Sequence, residues 1–151
     1  MTISARYIHT NIVAHDWRKL ADFYINTLGL VPRLPERHME GDWLYRATAV
    51  EDAHIDGIHL RLPGYGDDGP TLEIFQYNEK ALDKGRAINR PGLAHIAFAV
   101  DDVEVAFEEV KAAGGDAIGE LVTTEISGSG VLTFVYASDP EGNVIELQRW
   151  R

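Results

Sequence analysis

The 151-residue chain contains no cysteine. Disulfides, thiolate metal ligands and a cysteine nucleophile are therefore excluded, and any thiol chemistry must come from the substrate. Basic residues are also scarce: 14 Lys and Arg stand against 24 Asp and Glu, a formal net charge of −10. Nucleic acids are held mainly by Lys and Arg contacts, so no nucleic-acid partner is expected, although a local positive pocket for an anionic substrate stays open. No apolar run approaches the roughly 18 residues that cross a bilayer, so no membrane partner is expected. The opening "MTISARYIHT" lacks a basic stretch followed by an apolar one; without a signal peptide, the expected location is cytoplasmic. No GxSxG or Ser-His-Asp pattern appears. The "SGSG" at Ser127 to Gly130 is followed by a strand pattern, not a helix, which makes it a poor phosphate cradle and a candidate mobile loop.

What is present is a repeat. In "YIHTNIVAHDWRKLADFYINTLGLVP", Tyr7 to Ala14 reads as a strand and Asp16 as an N-cap. Trp17, Leu20, Ala21, Tyr24 and Leu28 fall at helical spacing; Gly29 ends the helix and Pro32 prevents its return. The stretch "LAHIAFAVDDVEVAFEEVKAAGGDAI" has the same grammar: a strand ending near Val100, a capping-box pattern in Asp101 and Glu104, an apolar stripe and a stop at Gly114 and Gly115. His9 to Gly29 is 20 residues, as is His95 to Gly115.

The two modules also close alike, in "GPTLEIFQY" (Gly69 to Tyr77) and "GNVIELQRW" (Gly142 to Trp150), each a short strand with one Glu among apolar residues. Between helix and closing strand, the first module shows strand patterns near Trp43 to Val50 and Gly57 to Leu62. The second has one near Val131 to Ala137 and a weaker one around Ile118 to Thr124. The expected fold is α+β: two tandem βαβββ modules, about 7–78 and 92–150, joined by a linker at about 79–91 and forming curled mixed sheets around a metal cavity.

Four polar residues interrupt these apolar strands at matching positions: His9 and Glu73, His95 and Glu146. Unpaired buried carboxylates are costly, so each needs a partner. Strand alternation puts His9 on a face with Asn11 and Val13, and Glu73 with Phe75 and Tyr77. If the sheets curl and face each other, the four converge. Two imidazoles and two carboxylates suit one divalent first-row metal ion, with Ni, Zn, Co, Mn and Fe all open. His15 and His38 read as solvent-exposed, whereas His59 shares a face with Arg61 that could be cavity wall or solvent.

On "HTNIVAHD…FYINTLGL", "LEIFQY", "HIAFAVDD" and "DPEGNVIEL", the chain resembles the vicinal oxygen chelate superfamily from Tyr7 to Trp150. That group includes glyoxalase I, methylmalonyl-CoA epimerase, extradiol dioxygenases and fosfomycin- and bleomycin-resistance proteins. The resemblance implies a single domain whose ligands are His9, Glu73, His95 and Glu146, a set most similar to that of glyoxalase I. It implies a metal-dependent lyase, isomerase or epimerase that moves a proton next to a carbonyl through a metal-chelated enediolate. Glu146 is the expected base, Glu73 the ligand or second acid/base, and Asn11, Phe75 and Tyr77 the expected substrate contacts. A small-molecule substrate and a homodimer are the expected partners. The alternatives are an Fe(II)-dependent extradiol-type dioxygenase using His9, His95 and Glu146, or a non-catalytic drug-binding protein. Bacterial glyoxalases that use glutathione typically carry Arg four residues after the first ligand and often Asn four after the second. Here those positions are Val13 and Tyr77, which points toward another α-hydroxycarbonyl or an acyl thioester.

Overall fold

The computed structural model describes residues 1–151 and resolves the chain into two compact units, Met1–Asp83 and Lys84–Arg151. The boundary falls inside the stretch 79–91. The fold is α+β, with one mixed sheet of four strands and one of five.

The first unit contains β1 (His9–Val13), α1 (Trp17–Leu28), β2 (Val31–Met39), α2 (Asp42–Thr48), β3 (Ile55–Arg61) and β4 (Thr71–Tyr77). Its sheet order is β1-β4-β3-β2, with β1 parallel to β4 and the other pairs antiparallel. The Asp16 carboxylate accepts from the Lys19 backbone N–H at 3.2 Å, capping α1, and Gly29 leaves the helix at φ +72°. That left-handed turn is the conformation in which glycine meets no Cβ penalty. One sheet face presents Ile58, Leu60, Leu72 and Ile74 to Leu20, Ala21 and Tyr24 of α1, all buried. Each of the leucines and isoleucines contributes about 1.5–3 kcal/mol on leaving water, so this face is the module's structural side.

The second unit contains β5 (His95–Ala99), α3 (Val103–Ala112), β6 (Asp116–Ala117), β7 (Val122–Ile126), β8 (Gly130–Ser138) and β9 (Val144–Trp150). Here β5 runs parallel to β9, β9 pairs with β8, and both β6 and β7 lie along the outer edge of β8. Val135, Ala137, Ile145 and Leu147 are fully buried on the face toward α3, as is Val110 of that helix.

Three local expectations are corrected. The strand expected near Trp43 to Val50 is the helix α2. Its alternating apolar residues mimic a strand, but Leu44 alone is buried, against Ala53, Ile55 and Phe75. An unexpected strand, β2, occupies "VPRLPERHM", where Pro32 read only as a helix stop. Proline is tolerated there because β2 is an edge strand with a bulge between Arg33 and Arg37. The cap of α3 is Asp102, not Asp101, its carboxylate accepting from Val105 N–H at 3.0 Å. The "SGSG" stretch spans the hairpin turn joining β7 to β8, closed by the Ser129 N–H to Ile126 carbonyl bond of 2.9 Å.

Candidate functional site

Strand pairing sets the site. In the first unit Asn11, Glu73 and His59 are successive cross-strand partners, and Arg33 continues the row on β2. Cross-strand partners project from the same sheet face, so this polar row lies opposite the α1 face. His9 lies one pleat further along β1, opposite Thr71. The far end of the same face is apolar: Ile55 and Phe75 are buried there with Leu44 of α2, and Tyr77 packs against them.

Glu73 is the centre. It is only 8% exposed, and both carboxylate oxygens are engaged. Asn11 Nδ2 donates to Oε1 at 2.8 Å, His9 Nε2 lies 3.5 Å from the same oxygen, and His59 Nε2 lies 2.6 Å from Oε2. Such partners offset the cost of removing a carboxylate from water. His59 is itself positioned by Thr71, whose hydroxyl lies 2.8 Å from Nδ1, and Phe75 stands edge-on to its ring at 6.2 Å. Burial pushes the His59 imidazole below the usual histidine range; Glu73 opposes this, while Arg37, His9 and Arg33 reinforce it.

His9, His59 and Glu73 offer one ligand atom each, all within 4.8 Å of one another. With Thr71 on Nδ1, the His59 nitrogen turned toward Glu73 is Nε2, and a neutral imidazole is the form that ligates a metal. Two imidazoles and a carboxylate with no thiolate fit a borderline divalent ion. His59, undecided from sequence, therefore faces the candidate site. The β3–β4 pairing that sets it opposite Glu73 depends on loop lengths that one sequence does not reveal.

The second unit repeats the frame with different groups. His95 Nε2 lies 3.1 Å from Glu146 Oε2, and Glu146 is also 8% exposed. Glu146 pairs with Ala97 on one side and Tyr136 on the other, so Tyr136 occupies the place that His59 holds in the first unit. Its ring stands 5.1 Å from His95, and burial together with the Glu146 charge raises the phenol above its ordinary value. No signal in the sequence marked Tyr136, because Glu146 follows it by 10 residues where Glu73 follows His59 by 14.

The other histidines sit in exposed ion pairs. His15 Nε2 lies 3.4 Å from Asp83, and His38 Nδ1 lies 2.5 Å from Asp56.

The model of the Glyoxalase/Bleomycin resistance protein/Dioxygenase superfamily matches residues 6–147. A lactoylglutathione lyase of Neisseria meningitidis is 32% identical over 145 residues, covering 94% of this chain and 88% of that one. A lactoylglutathione lyase of Salmonella typhimurium is 27% identical over 145 residues, covering 94% of this chain and 90% of its own. Among solved structures, a glyoxalase family protein from Bacillus cereus superposes with a TM-score of 0.74 at 18% identity, covering 98% of this chain and 94% of that one. At that identity the likeness speaks for the fold.

Proposed function

This chain belongs to the glyoxalase/bleomycin resistance protein/dioxygenase superfamily, and from that premise we propose that it is a metal-dependent lyase, isomerase or epimerase of the glyoxalase type. Its reaction would move a proton next to the carbonyl of a small molecule. The observation that carries this reading is a nearly buried carboxylate paired with an imidazole at the same strand positions in both units.

The proposed ligands of one divalent ion are His9, Glu73, His95 and Glu146, with Ni, Zn, Co, Mn and Fe all compatible. When bound, the ion would supply Lewis acidity to neighbouring substrate oxygens. Glu146 is the proposed base. Its carboxylate would take the proton from the carbon beside the carbonyl and return it to the neighbouring carbon for isomerisation, or to the same carbon for epimerisation. Tyr136, held protonated, would stand beside it as a neutral donor and not as a second anion. Glu73 would act as ligand or as the second acid/base, oriented by Asn11 and His59. Of the proposed substrate contacts, Phe75 would offer a wall beside His59, with Tyr77 further under α2.

Relatives named for lactoylglutathione make a glutathione adduct the obvious comparison substrate. Val13 and Tyr77 favour a different α-hydroxycarbonyl or an acyl thioester. The test is metal analysis of the purified protein, then solvent-deuterium exchange across hydroxyketones, acyl-CoA thioesters and lactoylglutathione. One ion per chain with exchange into one substrate is expected. Absence of bound metal would favour the drug-binding alternative, and exchange into lactoylglutathione alone would overturn the substrate reading. A homodimer is proposed as the working form, checked by sedimentation.

A second reading rests on the His9, His59 and Glu73 cluster, a two-histidine, one-carboxylate set of the kind used by non-haem Fe(II) oxygenases. It expects His59→Ala, and not His95→Ala, to abolish metal binding. It also expects oxygen uptake with catechols after anaerobic Fe(II) loading.

A further inference from the structure

The chain has ten more acidic than basic residues, yet three arginines gather beside the candidate site without a carboxylate partner. A cavity of about 530 Å³ is lined by Arg6, Arg33, Arg37, His59, Asp68 and Thr71, among others. Its size suits a small organic molecule. Arg33 and Arg37 reach it from β2 because the bulge loops out Leu34 to Glu36 opposite the single residue Ile58. Arg33 thereby stays opposite His59, and Arg37 lands opposite Gly57. Gly57 has no room for a side chain: a Cβ there would fall 2.1 Å from the Ile74 carbonyl oxygen and 2.6 Å from the Phe75 ring.

Two other arginines of this unit, one on its sheet and one on α1, are neutralised. Arg18 makes two bonds to Glu36, at 2.8 and 2.9 Å, and Arg61 is paired with Asp67. Arg37 instead donates only to the Pro35 carbonyl, at 2.6 Å, while Arg6 and Arg33 make no ion pair. Asp68 is the one acid in the cavity wall, set against three guanidiniums. Like charges are not gathered in this way without cost, and a planar guanidinium cluster matches the oxygens of a carboxylate or phosphate.

We propose that this arginine-lined cavity binds an oxyanion substituent, carboxylate or phosphate, of the substrate, anchoring it beside His59. The inference rests on the reading of the His9 and Glu73 site as the reactive centre, and it narrows the substrate to an anionic molecule. Arg33 and Arg37 are the anchoring pair, with Arg6 supplying charge at the cavity wall.

The test follows the arginine Nε–H signals of ¹⁵N-labelled protein during titration with inorganic phosphate and, separately, succinate. It is run on the protein as purified and again after chelation. Saturable shifts before and after chelation are expected, with affinity falling about tenfold or more in Arg33→Met and in Arg37→Met. Arg18→Met, outside the cavity, is expected to leave it unchanged. Saturation by phosphate alone identifies a phosphorylated substrate, and saturation by succinate alone a carboxylate; either supports the anchor. Absence of saturable binding, binding only before chelation, or binding indifferent to both cavity variants overturns it. Metal content separates this from failure of the site reading. Arg33→Met with full metal but no anion binding confirms the anchor alone, whereas wild-type protein that binds anion but no metal sinks the site reading alone.

Discussion

The two units are built on one frame and furnished differently. Strand pairing puts His9, Asn11 and Glu73 where the second unit has His95, Ala97 and Glu146, yet His59 corresponds to Tyr136. Backbone register is shared; donor chemistry is not. The first unit gathers two imidazoles and the Asn11 amide around one carboxylate, with an arginine cavity beside them. The second pairs its carboxylate with one imidazole and a phenol. The lesson is that the shared register fixes where each His and Glu stands, while the residue on the neighbouring strand, His59 or Tyr136, sets the donor chemistry around the carboxylate.

The sharpest way to break that contrast is to neutralise each glutamate in turn. Glu146→Gln is expected to retain much of the bound metal, through the three other proposed ligands, while lowering proton exchange by about 10²–10⁴-fold. Glu73→Gln is expected to weaken metal binding by more than the roughly 10–100-fold lost when a ligand's hydrogen-bond partner is removed. Metal titration beside a deuterium-exchange assay reads both, and the opposite pattern would exchange the roles proposed for the two glutamates.

The turns that lead into the closing strands offer a second contrast. Before β9 the turn is held by Asp139, buried, whose carboxylate accepts from the backbone N–H groups of Glu141 and Asn143 and from Asn143 Nδ2 at 2.8–3.0 Å. Before β4 the corresponding loop carries the Arg61–Asp67 pair, with Asp67 largely exposed. Urea unfolding is expected to show a loss of about 2–4 kcal/mol for Asp139→Ala, because several donors lose a buried charged acceptor. Asp67→Ala should change stability by less than about 1 kcal/mol, as surface pairs do.

The helix caps test where the units are alike. Asp16→Ala and Asp102→Ala each remove one side-chain acceptor from a helix start, and each is expected to cost about 1 kcal/mol. Unequal losses would show that the two helices are coupled differently to their sheets.

The smallest effect is a pH dependence confined to the first unit. Burial holds folded His59 below the ordinary histidine value, so between that value and its folded pKa the unfolded chain binds a proton that the folded chain refuses. Stability from this group is complete above about pH 6.5 and is lost as pH falls toward the folded pKa. Metal-free protein should therefore lose stability as pH falls below about 6.5, and His59→Phe should flatten that slope. A slope of the other sign would show that Glu73 outweighs burial at His59.

Much of this was legible in one dimension. Equal spacing from each histidine to its helix-ending glycine exposed the repeat, and a lone Glu in each apolar closing strand marked the nearly buried carboxylates of the candidate site. Both signals are local, because a buried carboxylate in a strand is costly wherever that strand pairs. The expected β1, α1, β4, β5, α3, β8 and β9 all appear, with ends shifted by a few residues. What misled was equally local in form: "DWLYRAT" alternates like a strand but folds as α2, and "VPRLPERHM" looks broken by proline but forms an edge strand.

The length difference between the modules explains the rest. Gly29 to His59 spans 30 residues where Gly115 to Tyr136 spans 21, and His59 to Glu73 spans 14 where Tyr136 to Glu146 spans 10. Most of the excess is the connection carrying α2, which covers the apolar end of the site face. By itself, the order of residues determined the repeated frame, the caps and the four interrupting His and Glu positions, since each depends on neighbours a few residues away. Only the tertiary structure decided that His59 meets Glu73, that Tyr136 stands in its place in the second unit, and that Arg33 and Arg37 face one cavity. Those contacts depend on cross-strand register, which loop lengths and a bulge set, and a one-residue slip would have turned each side chain to the other face.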